Sequence, residues 1–185
     1  MNKETAAQTA LIKQWVEQAK AGNKTAFSEL LNHHYDLIFR LCYRWTNHTQ
    51  DAEDLAQEVC VMLAHGLEGF RGEAAFSSWV YQIVLNSARD FHRRKKRQDN
   101  REQSGVDLSN LADQTPDAHR TLFSKLILRC ITRLPDALRS AVLLVHGEGL
   151  NHRQAGEIMA CAEGTISWRL SEARKNLNHC LNQGG

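Results

Sequence analysis

Proline is scarce in this 185-residue chain: Pro116 and Pro135 are the only two, and no Asn-Gly or Asp-Gly pair occurs. With so few hairpin signals, an all-β architecture is excluded. Long apolar runs are missing as well. Nothing approaches the roughly 20 residues that cross a bilayer, and Met1-Asn-Lys-Glu-Thr5 lacks the apolar stretch of a secretory leader. The expectation is a cytoplasmic chain that makes no membrane insertion of its own. Cys42, Cys60, Cys130, Cys161 and Cys180 are odd in number, widely spaced and without a Cys-x-x-Cys pair. They are expected to be reduced, buried thiols. No Cys or His spacing suggests a metal site. Charge of one sign is lacking too: 23 Lys and Arg against 21 Asp and Glu give +2. Any affinity for nucleic acid must therefore come from how charge is distributed. No glycine-rich phosphate loop and no nucleophile–base pair stands out. The chain reads as a non-enzyme without cofactor or metal.

What is present is helical periodicity over most of the length. Apolar residues recur at intervals of three and four from about Ala7 to Ala21, Thr25 to Trp45, Thr49 to His65 and Ser78 to Lys96. Gly22-Asn23 supplies a stop for the first of these. Asp51, Glu53 and Asp54 lie in the first turns of the third, where the helix dipole favours anions. Gly66 to Ser77 reads as a loop. From Gln98 to about Asp117 the chain turns polar and reads as a flexible linker. Helical pattern resumes near His119, with Leu122, Phe123, Leu126, Ile127 and Ile131, and continues from Asp136 to about His146. The expected fold class is all-α: two small helical domains, residues 1–97 and 119–185, joined by a linker over 98–118.

Three segments carry chemistry. The first is Leu150 to Arg174, two short amphipathic helices around the small-residue turn Ala160-Cys161-Ala162. Helix lengths, turn, basic residues on the second helix and position after a helical pair give the layout of a helix-turn-helix, whose second helix enters the DNA major groove. Arg169, Arg174 and Lys175 can meet phosphates. Ser167, Trp168 and Ser171 fall on the side open to base edges, and Thr165 near the helix start can bond a phosphate. A structural helical hairpin is the bland alternative. The second segment is the basic run Arg89, Arg93, Arg94, Lys95, Lys96 and Arg97, preceded by Phe70, Phe76, Trp79 and Tyr81. Rings beside a positive track suit single-stranded DNA, where bases stack and phosphates follow charge, although Phe76 and Trp79 equally suit a core. The third is Asp51 to Val59, where Asp54, Gln57 and Glu58 share a polar side opposite Leu55 and Val59. That side is either a solvated face or a docking surface for a basic partner.

Taken in order, these segments resemble the bacterial RNA polymerase sigma factors of the extracytoplasmic-function (ECF) group, of the sigma-70 family. The likeness covers nearly the whole chain. It is carried by Ala19-Lys-Ala-Gly-Asn-Lys-Thr-Ala-Phe27, Ala52-Glu-Asp-Leu-Ala-Gln-Glu-Val59, Phe70-Arg-Gly-Glu73, Phe76-Ser-Ser-Trp-Val-Tyr-Gln-Ile83 and Gly164-Thr-Ile-Ser-Trp-Arg-Leu170 with Ala173-Arg174. The resemblance implies a protein that directs core RNA polymerase to promoters. Asp54, Gln57 and Glu58 would contact the β′ coiled coil. Phe70 with its loop would hold a flipped minus-ten base, supported by Trp79. Asn86, Arg93 and Arg94 would contact the melted strand. Thr165, Ser167, Trp168, Arg169 and Arg174 would read the minus-35 element. Implied partners are core polymerase (β′ coiled coil and β flap), promoter DNA and an anti-sigma factor, itself membrane-linked. Ser167, Trp168 and Leu85 depart from the residues usual in the family at those places. The rival reading is a stand-alone helix-turn-helix regulator, and a third is a mimic that sequesters an anti-sigma factor.

Overall fold

The structure, a computed structural model, describes residues 6–99 and 126–183. Every element among them is helical: α1 (Ala6–Lys20), α2 (Lys24–Thr46), α3 (Thr49–Gly66), a 3₁₀ turn (Leu67–Gly69), α4 (Phe76–Asp99), α5 (126–132), α6 (Asp136–Val142), a π turn (Leu143–Gly147), α7 (His152–Ile158) and α8 (Glu163–Gln183). Apart from Gln98 and Asp99, which belong to α4, the expected linker lies outside the described residues, as do Leu122 and Phe123.

The boundaries follow from local chemistry. Gly22, at φ +89°, ends α1 in a backbone conformation that costs glycine little. The Asn23 side chain then caps α2 by accepting from the Ala26 N–H at 3.1 Å. Asn47 takes the left-handed conformation (φ 53°) to end α2, and the His48 ring accepts from the Asp51 N–H to start α3. A capping box, Asn151 with Gln154, opens α7.

Helices α1 to α4 pack around Leu30, Ile38, Leu41, Leu55, Val59, Leu63, Val80 and Val84, all essentially inaccessible. The periodic positions of each helix form one apolar face, and burying those faces supplies the main driving force. In the C-terminal half, Leu134, Leu138, Leu144, Ala155, Ile158, Ile166 and Ala173 do the same. The helix expected over Asp136–His146 changes pitch at Leu143, and its last turn is π.

One expectation needs correction. Cys130 and Cys180 are joined as a disulfide across 50 residues, because α5 and α8 bring their Cα atoms to 5.9 Å. Wide spacing in sequence hid a pairing made by tertiary packing. Cys42, Cys60 and Cys161 are free thiols, and burial pushes the Cys42 thiol up to about 12.

Candidate nucleic-acid interface

Helix α3 buries Ala52, Leu55, Ala56, Val59 and Leu63, which turns Asp54 and Gln57 outward to solvent and leaves Glu58 half-buried. Glu58 is not free. Its two carboxylate oxygens accept from Arg94 Nη2 at 2.9 and 2.6 Å, and Lys95 bonds Asp51. The acidic face of α3 and the basic end of α4 thus lie side by side and partly neutralise each other. Arg93 donates to Asp90 one turn back. Asn86 is exposed, with its side-chain oxygen 3.4 Å from Arg89.

Phe70 does not project from its loop. The residue is 9% exposed, and its ring meets Phe76 edge-on at 5.3 Å and Trp79 at 5.2 Å, while Phe76 and Trp79 lie 5.4 Å apart. Lys20 bonds the Phe70 carbonyl and sits 6.0 Å from its ring centroid. Trp79 braces the far end of the loop as well, because a β-carbon on Gly66 would lie 3.2 Å from its ring. The loop that follows, Arg71 to Ala75, is fully exposed. The three rings form the floor under it.

In α8, Ile166 and Ala173 are buried and Leu170 and Leu177 are packed against the core. At 3.6 residues per turn the opposite face carries Trp168, Ser171 and Lys175. Trp168 is 62% exposed. Thr165 and Arg169 share one flank, where Arg169 leans back so that Nη1 lies 3.3 Å from Cys161 Sγ. Ser167 and Arg174 share the other. The Ser167 hydroxyl lies 2.9 Å from His152 Nδ1 and 3.3 Å from the Glu163 carbonyl. The five residues expected to read DNA therefore occupy three sides of the helix, and Trp168 alone of them sits at the centre of the outward face. His152 is an addition that the sequence did not suggest: nothing in its spacing points to Ser167, and only the crossing of α7 and α8 joins them.

The two halves also touch. Glu148 enters the N-terminal half with its side chain 4% exposed and accepts from Arg40 (Nε at 3.0 Å, Nη2 at 2.6 Å), Arg44 (2.5 Å) and the Tyr81 hydroxyl (3.3 Å). Arg44 also donates to the Gly147 carbonyl at 2.7 Å. The Tyr81 phenol is pushed far above its usual range, first by burial and then by the neighbouring carboxylate. Nearby, the Arg139 guanidinium stacks 4.8 Å from the Trp45 ring, Arg89 reaches the Ser140 hydroxyl at 3.2 Å, and His92 lies 3.1 Å from Asp136.

The arrangement can offer a polar docking face, a positive track beside an aromatic floor, and an outward recognition helix. Among the described residues no cluster of metal-ligating side chains occurs and no helix is long and apolar enough to cross a membrane. Comparison with known proteins addresses the same segments. Residues 30–98 match the Sigma-70 region 2 model and residues 124–177 the Sigma-70 region 4 model. The chain is 30% identical over 181 residues to the ECF RNA polymerase sigma factor SigW of Bacillus subtilis, covering 92% of this chain and 97% of that one. It is 30% identical over 174 residues to the ECF RNA polymerase sigma-E factor of Haemophilus influenzae, covering 89% and 92%. Its fold is similar to that of CnrH in complex with the cytosolic domain of CnrY, at a TM-score of 0.68 and 20% identity over 95% of this chain and 99% of that one. It is also similar to the sigma factor RpoE in complex with the anti-sigma factor NepR from Bartonella quintana, at 0.67 and 22% over 84% and 96%. With an outward acidic face, a basic aromatic segment and a helix-turn-helix in that order, and relatives matched nearly end to end, the chain belongs to the ECF RNA polymerase sigma factors.

Proposed function

We propose that the protein engages core polymerase through Asp54, Gln57 and Glu58, opens the promoter with α4 and its preceding loop, and reads duplex DNA with α8. The observation that carries this reading is the contact between α3 and α4. Glu58 holds Arg94, and Asp51 holds Lys95, so a basic polymerase surface that takes over these carboxylates releases two cations at the DNA track. Docking and strand binding are then coupled through shared charges. The exposed Asn86 and the loop Arg71–Ala75 take the displaced strand, over a floor made by Phe70 and Trp79. Each unstacked base costs a few kcal/mol, which stacking, edge hydrogen bonds and polymerase contacts must offset. Arg93 reaches backbone phosphate once it leaves Asp90. On α8, Trp168 and Ser171 face the groove. Arg169, Arg174 and Thr165 meet phosphates on the flanks, and Ser167 takes part when His152 releases it. The groove between α5 and α8 suits the β flap.

An anti-sigma factor is the natural antagonist. Both fold relatives above were solved with partners, one named as an anti-sigma factor. In this chain an open cleft of about 1210 Å³ runs between α2, the loop before α4 and α7, wide enough for a partner segment. Membrane linkage of that partner, a cytoplasmic location and the absence of catalysis belong to the same reading. Run-off transcription with reconstituted holoenzyme on selected genomic fragments is the test. Promoter-specific transcripts only when both protein and core polymerase are present support it. Tight duplex binding without polymerase, and no transcript with it, would favour the stand-alone regulator.

A further inference from the structure

We propose that Cys130 and Cys180 form a reversible dithiol–disulfide site, exchanged by low-molecular-weight disulfides of the glutathione type, that sets how firmly the end of α8 is held against α5. The inference rests on the polymerase-binding reading in one respect. That reading puts the chain in a thiol-reducing compartment, where disulfides are seldom permanent and those that form are mostly redox-sensing or catalytic.

Burial gives the exchange a direction of attack. Cys130 is 1% exposed on α5, whereas Cys180 is half-exposed in the last turns of α8. A dissolved disulfide meets Cys180 first. The Cys180 thiolate attacks one sulfur of glutathione disulfide, that S–S bond breaks, and one glutathione leaves as a thiolate that takes up a proton. Cys130, after losing its proton to water, attacks the Cys180 sulfur and expels the second glutathione. Two protein thiols and one glutathione disulfide thus give one protein disulfide and two glutathiones, and two electrons pass from protein to glutathione. Excess glutathione reverses the sequence by attack on the bridge at Cys180.

Helices α5 and α8 also line a groove of about 240 Å³ whose walls include Ile127, Val142, Leu170, Leu177 and Leu181. Cys130 lies one turn beyond Ile127, and Cys180 one turn beyond Leu177. The groove leaves one side of the last turns of α8 open to solvent beside the packed Leu177. Oxidised, those turns are pinned to α5. Reduced, they lean on an unfilled surface and open more readily. The recognition half of α8 is held separately by Ile166 and Ala173, so the effect is confined to the groove end.

The test uses the full chain, reduced and freed of reductant, then equilibrated in glutathione buffers of graded ratio. Alkylation and peptide mass mapping follow, which also separates Cys60 and Cys161 from the pair. The Cys130–Cys180 bridge is expected to form and disappear reversibly with the ratio. Amide exchange over residues 176–182 is expected to be about tenfold or more faster in the reduced protein, with residues 163–173 changing less. Cys130→Ser should capture glutathione on Cys180, whereas Cys180→Ser should take none on Cys130. A bridge that never forms, one that survives excess glutathione, or equal exchange of residues 176–182 in both states would overturn the proposal. None of these readouts needs polymerase, so a transcription failure alongside intact thiol chemistry would count against the functional reading alone.

Discussion

At Gly156 a β-carbon would lie 2.7 Å from the Cys161 carbonyl oxygen. The glycine therefore lets the backbone of the interhelical turn press directly on α7, while Ala160 takes the left-handed conformation (φ 49°) that turns the chain. Gly156→Ala should lower stability by about 1–3 kcal/mol through forced separation of α7 and α8, read by thermal unfolding, with the N-terminal helices unaffected in amide exchange. An unchanged midpoint would mean that the turn yields. His34 offers a second check. Its Nδ1 donates to the Leu30 carbonyl at 2.8 Å, its ring packs against His33 and Phe76, and its Nε2 has no hydrogen-bond partner among the described residues. Burial lowers its pKa against the Leu30 hydrogen bond, which raises it, and His33 adds to the lowering. The unfolded chain therefore binds the proton more readily. The stability contribution is complete above the ordinary value of about 6.5 and is lost as pH falls from there through the lowered folded value. Replacing His34 by Leu should flatten the pH dependence of the unfolding free energy in that window. Neither residue was legible as critical beforehand. The turn Ala160-Cys161-Ala162 was read from its small side chains, but the contact that matters is backbone against glycine.

Helix positions were largely readable, because each helix presents one apolar stripe and ends in residues that cap or break it. What each polar face does was less readable. The periodicity that put Asp54, Gln57 and Glu58 outside α3 gave no sign that Glu58 and Arg94, 36 residues apart, would bond. That pairing depends on how α3 packs on α4. Likewise nothing in the sequence showed that the Phe70 ring would pack among Phe76 and Trp79, an arrangement that removes apolar area from water. Arg94 and Glu58 keep 57% and 43% of their side-chain surface open to solvent. Glu58→Gln should thus change folding stability by under about 1 kcal/mol while weakening core polymerase binding, a separation that unfolding and polymerase titration measure on one sample. On α8, Trp168 is the large exposed ring. Trp168→Ala should leave unfolding within about 0.5 kcal/mol of the parent and reduce promoter binding by the holoenzyme. Lost stability instead would assign the ring to packing.

For the whole molecule, the decisive group is one carboxylate in a segment, Gly147-Glu-Gly149, that reads as a plain turn. Glu148 lies more than 100 residues from Arg40 and Arg44, so no local pattern could announce the pairing. A buried carboxylate is costly in isolation, and here two guanidinium groups and the Tyr81 hydroxyl offset that cost. Glu148 joins the halves from a buried position, 8% exposed. Arg40 and Arg44 keep 45% and 29% of their side-chain surface open to solvent, so both can rehydrate once the partner charge is gone. Glu148→Gln keeps the side chain's shape and removes the charge. It should release the C-terminal half from α2 and α4, raise the radius of gyration in small-angle scattering and leave helical content unchanged. Amide protection should fall at the facing surfaces of α4 and the π turn while the core of each half stays protected. Raising salt on the parent protein should open it less, because screening reaches exposed charges more than a carboxylate whose side chain is 4% exposed. If the variant kept the parent's dimensions, the stacking of Arg139 on Trp45 and the contacts around Ser140 would be holding the halves together. Separation would instead assign the closed arrangement to Glu148. Opening would then uncover Tyr81 and Arg89 on α4 and leave α8 free to move independently of that helix.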